Sequence, residues 1–235
     1  MTSSADSHAA DSEKSEADYS DIGDATHRLV PSKFPPIALF EHLLDPAELE
    51  IAYELESLTN SRLRDEAGDI SLVPREDRLV GPGSSAVMAA FTHIGFPSRF
   101  SDGSFGVYYA GLALETAIRE TVYHRERFLS STQEPACQVV MRQYVSHVVK
   151  PLVDVRQMPR LHTPDDYAVA QQLAVQHRKQ QEWGLHYLSV RHAGGECIAV
   201  FRPTALTPAI QGSHFGYQWD GKAIGNNVLK LEMAL

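Results

Sequence analysis

The sequence predicts an α+β fold: a single mixed domain with a central β-sheet core flanked by helices. Three observations predict it. Segments with good N-caps and apolar residues at three- and four-residue spacing mark helices. Apolar, β-branched and aromatic runs mark strands, concentrated in the second half of the chain. No internal repeat divides the sequence. Its 235 residues, 43% of them apolar, suffice for one large core.

Residues 1–30 read as a disordered acidic tail. Within residues 1–28, seven acids stand against Lys14 and Arg28, a net charge of −5. Large apolar residues are scarce there, so little burial offsets the entropy of ordering. The folded domain is expected over residues 31–235. It opens on Pro31-Ser32-Lys33-Phe34-Pro35-Pro36-Ile37, an extended entry.

A first helix is expected after Asp45-Pro46-Ala47-Glu48. Asp45 suits the N-cap, Pro46 the first helical position, and Glu48 completes a capping arrangement. Leu49, Ala52, Leu55 and Leu58 form its apolar stripe, which fades near Gly68. A turn-rich stretch with Pro74, Gly81, Pro82 and Gly83 follows. Phe105 to Ala110 reads as a strand, and Leu112 to Phe128 as the second helix. Residues 137–145 and 148–155 are strand candidates interrupted at Pro151. Thr163-Pro164-Asp165-Asp166 starts a third helix that Gly184 ends. Residues 186–191 and 196–202 form a hairpin around Ala193-Gly194-Gly195, and a last strand spans 228–233.

Composition narrows the function. No apolar run reaches the roughly 18 residues a membrane span needs. The amino-terminal segment is polar and lacks an apolar signal core, so a cytoplasmic protein is expected. Cys137 and Cys197 sit in apolar surroundings and read as buried free thiols; no Cys-x-x-Cys occurs. The net charge of −9 argues against nucleic-acid binding. Dispersed histidines show no metal-ligand spacing, so no metal site is expected.

Residues 98–124 concentrate the chemistry. They join an Arg, a Gly-rich turn, an aromatic strand and a helix bearing Glu120 and His124. Ala113, Ala117, Glu120 and His124 fall on one helix face. An unpaired carboxylate on such a face is costly, so spacing alone reads Glu120 as a structural ion pair with an arginine. His124 alone reads as a packing histidine, and Glu115 and Glu126 as solvated charges. Arg78 and Arg99 each border a flexible glycine segment. A guanidinium fork there could grip a phosphate, or simply be solvated. Ser189, inside an apolar strand, needs a hydrogen-bond partner, which could be backbone or ligand. Neither a Rossmann fingerprint nor Gly-x-Ser-x-Gly is present.

Taken in order, these pieces resemble the RES domain family, named for its Arg, Glu and Ser. Arg78 matches the family's early Arg, and Arg99-Phe100 its Arg-aromatic step. Tyr109-Ala110 matches the strand end. Ala117, Glu120 and His124 match the helix, and Ser189 the late Ser. The resemblance covers about residues 75–205.

The resemblance implies a fold similar to ADP-ribosyltransferase toxins and the toxin of a bacterial toxin–antitoxin pair. Such a toxin degrades NAD by cleaving the nicotinamide–ribose bond, by hydrolysis or phosphorolysis, and so arrests growth. NAD is then the substrate, and no cofactor is required. Arg78 and Arg99 would hold the diphosphate, and Tyr109 would orient the nicotinamide. Glu120 would stabilise the ribosyl cation, and Ser189 would bond the ribose or carboxamide. The implied partner is an Xre-like helix-turn-helix antitoxin that blocks the site, in a homo-oligomer or a toxin–antitoxin hetero-oligomer. Two other readings stay open: an ADP-ribosyltransferase toxin that modifies a host protein, and a non-catalytic NAD- or partner-binding module.

Overall fold

A computed structural model describes residues 18–32 and 68–231. The capped helix expected after Asp45 lies outside the described residues, as do residues 1–17. Nine strands form one sheet: β1 (Tyr19–Ser20), β2 (Ala25–Pro31), β3 (Tyr108–Gly111), β4 (Cys137–His147), β5 (Leu152–Asp154), β6 (Gly184–Leu188), β7 (Glu196–Val200), β8 (Ile210–Trp219) and β9 (Val228–Leu231). Among the described residues, three α-helices accompany it: α1 (Ser84–Thr92), α2 (Leu114–Thr132) and α3 (Ala168–Lys179). The spatial order is β1-β5-β6-β7-β3-β2-β4-β8-β9. Every pairing is antiparallel except β5 with β6.

The period-2 alternation of the central strands sorts their side chains between two faces. Tyr108, Ala110, Ile198 and Val200 join Val87, Met88 and Phe91 of α1 in one buried cluster. Cys197, Ala199, Leu185 and Tyr187 join Ala170 and Ala174 of α3 in another. Ala117 of α2 packs with Leu29, Met141 and Phe215 in a third. The register places Leu29 on the same face as Cys197, so α2 and α3 share that face and α1 covers the other.

The tail boundary needs correction. Residues 19–30, expected in the disordered acidic tail, contribute β1 and all of β2 except Pro31, and β2 sits near the middle of the sheet. Its Ala25-Thr26-His27-Arg28-Leu29-Val30-Pro31 run pairs with Met141–His147 along its whole length. The acids cluster before it, and averaging charge over the whole segment hides a strand that buries Thr26 and Leu29. Pro31 closes β2, and the Ser32 N–H after it still donates to the Val140 carbonyl of β4 at 2.8 Å.

Other boundaries shift for identifiable reasons. The third helix starts at Ala168 rather than near Thr163, because the carbonyls of Leu161, Thr163 and Pro164 are taken by arginine side chains. It ends at Lys179, and Gln181 turns the chain at φ 64°. Gly184 opens β6 instead of ending the helix. Strand β8 is not apparent in its sequence, because Gly212 and Gly216 interrupt the alternation. A Cβ at these glycines would lie 2.6 Å and 2.7 Å from the side chains of Gln143 and Gln138 on β4. Helix α1, small and buried, follows the Gly-Pro-Gly turn without a side-chain cap. Cys197 is buried, whereas Cys137, at the start of β4, is exposed. Glu126 is not a solvated charge: its Oε1 accepts from the backbone N–H groups of Ile224 and Gly225 at 2.7 and 2.8 Å.

Helix α2 lies unusually close to β3. A Cβ on Gly111 would stand 2.7 Å from the backbone nitrogen of Ala117 and 3.0 Å from the carbonyl oxygen of Ala113. Neither backbone atom can swing aside. Gly111→Val is therefore expected to destabilise the fold by about 1–3 kcal/mol through overpacking. Denaturant unfolding checks this, and an unchanged midpoint would contradict the packing.

Candidate active site

The site forms where α2, the strand ends and the 161–167 loop meet. Glu120 lies on the α2 face that looks toward the β6–β7 turn. Its Oε1 accepts from the Ser189 hydroxyl at 2.6 Å and from the Val190 N–H at 3.2 Å. Ser189 is not inside a strand: β6 ends at Leu188, and Ser189 begins the turn. Its Oγ in turn accepts from the backbone N–H groups of Arg191 at 3.2 Å and His192 at 3.0 Å. The hydroxyl proton is thus committed to the carboxylate. Among the described residues, every hydrogen bond to Glu120 ends on Oε1, which leaves Oε2 open to a ligand.

Arg99 lies where its charge and that of Glu120 both act on His124, Tyr187 and Cys197. Its guanidinium donates to the carbonyls of Leu161 at 3.1 Å, Thr163 at 2.8 Å and Pro164 at 3.4 Å, and stacks over the Tyr167 ring at 4.6 Å. Tyr109 fixes the turn that carries it. The Tyr109 hydroxyl accepts from the Phe100 N–H at 2.9 Å and bonds Ser98 Oγ at 2.8 Å. Arg191 approaches from the other side. Its guanidinium lies 3.4 Å above the Tyr123 ring centre and donates to Pro164 O at 2.7 Å. Tyr123 is one helical turn from Glu120 and donates to Asp165 Oδ1 at 2.7 Å.

Burial keeps the surrounding groups neutral. It pushes the Tyr109 hydroxyl up to about 12 and raises Tyr187 well above a free phenol. Burial, reinforced by the Glu120 charge, also raises the Cys197 thiol, so no thiolate nucleophile is available. His124 is exposed at its ring edge; desolvation lowers its pKa, and the Glu120 charge opposes that. His162 Nδ1 faces the Met158 carbonyl at 3.0 Å, and its Nε2 accepts from the Leu188 N–H at 3.1 Å. These partners fix the neutral ring with its proton on Nδ1. No group of three or more metal-ligating side chains occurs among the described residues.

The structure thus brings Arg99, Tyr109, Glu120 and Ser189 together, with His124 at the edge. It does not bring Arg78 among them. That side chain is buried and donates to Val73 O at 2.9 Å and Ile70 O at 3.4 Å, in the cluster beneath α1 on the other face of the sheet. Arg191, Tyr123 and His162 were not singled out from sequence. Arg191 had a faint signal, its place two residues beyond Ser189 in a glycine-bearing turn. His162 and Tyr123 had none, since only the fold brings them to this corner.

A carboxylate held by a hydroxyl, flanked by guanidiniums and walled by neutral tyrosines, suits an anionic substrate that develops positive charge. The site is thus a hydroxyl-held carboxylate at one corner of a single α+β domain. The chain belongs to the RES domain family, whose sequence model matches residues 75–220. It is 30% identical over 207 residues, 86% of each chain, to "Uncharacterized protein y4oC" of Sinorhizobium fredii. It is also similar to a chain in the crystal structure of the M. tuberculosis MbcT–MbcA toxin–antitoxin complex. That similarity has a TM-score of 0.39 at 14% identity and covers 50% of this chain and 72% of that one. No described helix is long and apolar enough to cross a membrane.

The His162 geometry has a pH consequence. Its pKa is lowered from the ordinary 6.5, chiefly by desolvation. The unfolded chain therefore binds the proton more readily, and the stability present above that value is lost as the pH falls through and below it. His162→Gln can keep an acceptor for Leu188 N–H without titrating. Between neutrality and about pH 5, the wild-type denaturation midpoint should fall more steeply than that of the variant. Parallel slopes would rule the contact out as a source of acid sensitivity.

Proposed function

We propose that this chain is the toxin of a toxin–antitoxin pair and degrades NAD by cleaving the nicotinamide–ribose bond. The observation that carries the reading is the 2.6 Å bond from Ser189 to Glu120, which fixes a carboxylate against the turn that carries Arg191 and leaves one oxygen open. In the reaction, the C–N bond breaks and its electron pair leaves with the pyridine nitrogen. Nicotinamide departs neutral, so no general acid is needed. The ribose carbon gains oxocarbenium character, which the Glu120 carboxylate stabilises from a fixed position. Water or phosphate then adds its oxygen to that carbon. Water gives ADP-ribose and a released proton; phosphate gives the 1-phosphate ester.

The other residues have positioning work. Arg99 grips the diphosphate, and Tyr109 braces the Arg99 turn through its hydroxyl and orients the nicotinamide end. Ser189 orients Glu120 through its only proton, so it bonds the ribose or carboxamide only if that proton leaves the carboxylate. Ser189 is not a nucleophile here, because its hydroxyl faces a carboxylate and no histidine nitrogen bonds it. Membership in the RES family supports the toxin assignment. The partner is an Xre-like helix-turn-helix antitoxin that covers this mouth.

Purified protein incubated with NAD, with and without phosphate, should release nicotinamide. Glu120→Gln preserves shape but removes the charge, and should lower the rate on the order of 100-fold or more. Ser189→Ala should lose less, since Val190 N–H still holds Oε1. Wild-type protein that releases no nicotinamide under either condition would overturn the reading. Label from NAD appearing on protein in a lysate would redirect it to ADP-ribosyl transfer.

A further inference from the structure

We propose that Arg191 completes the anion grip of this site, acting with Arg99 on the substrate's diphosphate. The inference rests on the NAD reading above and adds a residue to it. Three observations lead there. First, the two guanidiniums converge on one atom: Arg191 at 2.7 Å and Arg99 at 3.4 Å both donate to the carbonyl oxygen of Pro164. Two cations meeting at one neutral oxygen mark a place where an anion is better accommodated. Second, Arg191 is built into the catalytic turn. Its backbone N–H donates to Ser189 Oγ, the atom that holds Glu120, so its side chain is set by the same turn that sets the carboxylate. Third, its guanidinium is held flat on Tyr123, one turn along α2 from Glu120. A planar fork fixed by a ring can meet two phosphate oxygens at once, which a lysine cannot.

The 163–165 segment is then the stand-in for the phosphates. Thr163, Pro164 and Asp165 are exposed, and their links to the site are a few bonds to Arg99, Arg191 and Tyr123. Phosphate oxygens replace the Pro164 carbonyl on both guanidiniums. The weak Asp165 contact, 3.4 Å long with the carboxylate 72% exposed, gives way at little cost.

ADP-ribose is the probe, since it carries the diphosphate and lacks the scissile bond. Calorimetric titration should show saturable binding to wild-type protein. Arg191→Ala should weaken it about tenfold or more, and Arg191→Lys, which keeps the charge but loses the fork, should also weaken it. Should Arg191→Ala fail to fold, the lysine variant alone decides. In NAD cleavage, Arg191→Ala should raise KM far more than it lowers kcat. ADP-ribose binding by the folded variants that matches wild type would overturn the assignment, and so would wild-type protein that does not bind ADP-ribose. Failure of the NAD reading is separate: it appears as absence of nicotinamide release from wild type, whatever the binding result.

Discussion

Two glycines allow α2 to lie against the strands beneath it, and the geometry of the site depends on that approach. Gly111 leaves the Ala117 nitrogen and the Ala113 carbonyl room to sit over β3. Gly195 does the same for the turn: a Cβ there would lie 2.7 Å from both Thr116 Oγ1 and His192 Nδ1. Those two atoms instead bond each other at 2.9 Å, and the Leu112 N–H reaches the Glu196 carbonyl at 2.9 Å. With helix and turn clamped at these points, Glu120, one turn beyond Thr116, arrives within 2.6 Å of Ser189. Residues 69 positions apart in sequence meet because small residues elsewhere leave them no space to separate.

This clamp gives the site its preorganisation. The Ser189 oxygen takes two backbone N–H groups and gives its proton to Glu120, so both side chains are oriented before a ligand arrives. Donors and charges fixed in advance require no reorganisation as charge develops, which is where their effect on a barrier arises. The aromatic wall has its own bracing. Tyr109 ties the Ser98–Phe100 turn, Phe100 packs edge-on to Tyr187 at 4.8 Å, and His162 stacks on the same ring at 6.5 Å. Arg99 thus projects from a turn that is held from behind.

Much of this was legible in the sequence wherever signal and structure are local. The aromatic strand ending at Tyr109-Ala110 and the helix bearing Glu120 follow from short-range pattern, and both form, the strand shorter at its start and the helix running on to Thr132. So does the β6–β7 hairpin, whose Ala-Gly-Gly turn is visible without context. What escaped is what depends on partners distant in sequence. Strand β2 was hidden by neighbouring acids, because its order comes from pairing with β4 rather than from its own composition. The 163–167 helix start was undone by side chains from Arg99 and Arg191. Ser189 was found but assigned to a strand interior, since strand ends are set by hydrogen bonding that periodicity does not encode. Arg78 and Arg99 look alike in sequence, each an arginine beside glycines, and only the fold sends one beneath α1 and the other to Glu120.

Charge placement carries the same lesson further. The chain bears a net charge of −9, yet the arginines of this corner bond mostly to neutral oxygens. Two other guanidiniums are paired with carboxylates. Arg202 is bonded to both carboxylate oxygens of the nearly buried Asp77, and Arg156 bridges Asp154 and Glu196, holding the Asp154 carboxyl well below the usual range. An ion pair of that kind has little field left beyond its own dimensions. Arg99 makes its hydrogen bonds to three carbonyls, and Arg191 to one carbonyl and a loosely held, exposed carboxylate. Carbonyl partners meet the hydrogen-bonding need of a guanidinium while leaving its unit charge unneutralised. The field of such a guanidinium is screened over about 8–10 Å at physiological ionic strength. Overall acidity and local attraction coexist because the second is decided by which oxygen each arginine meets.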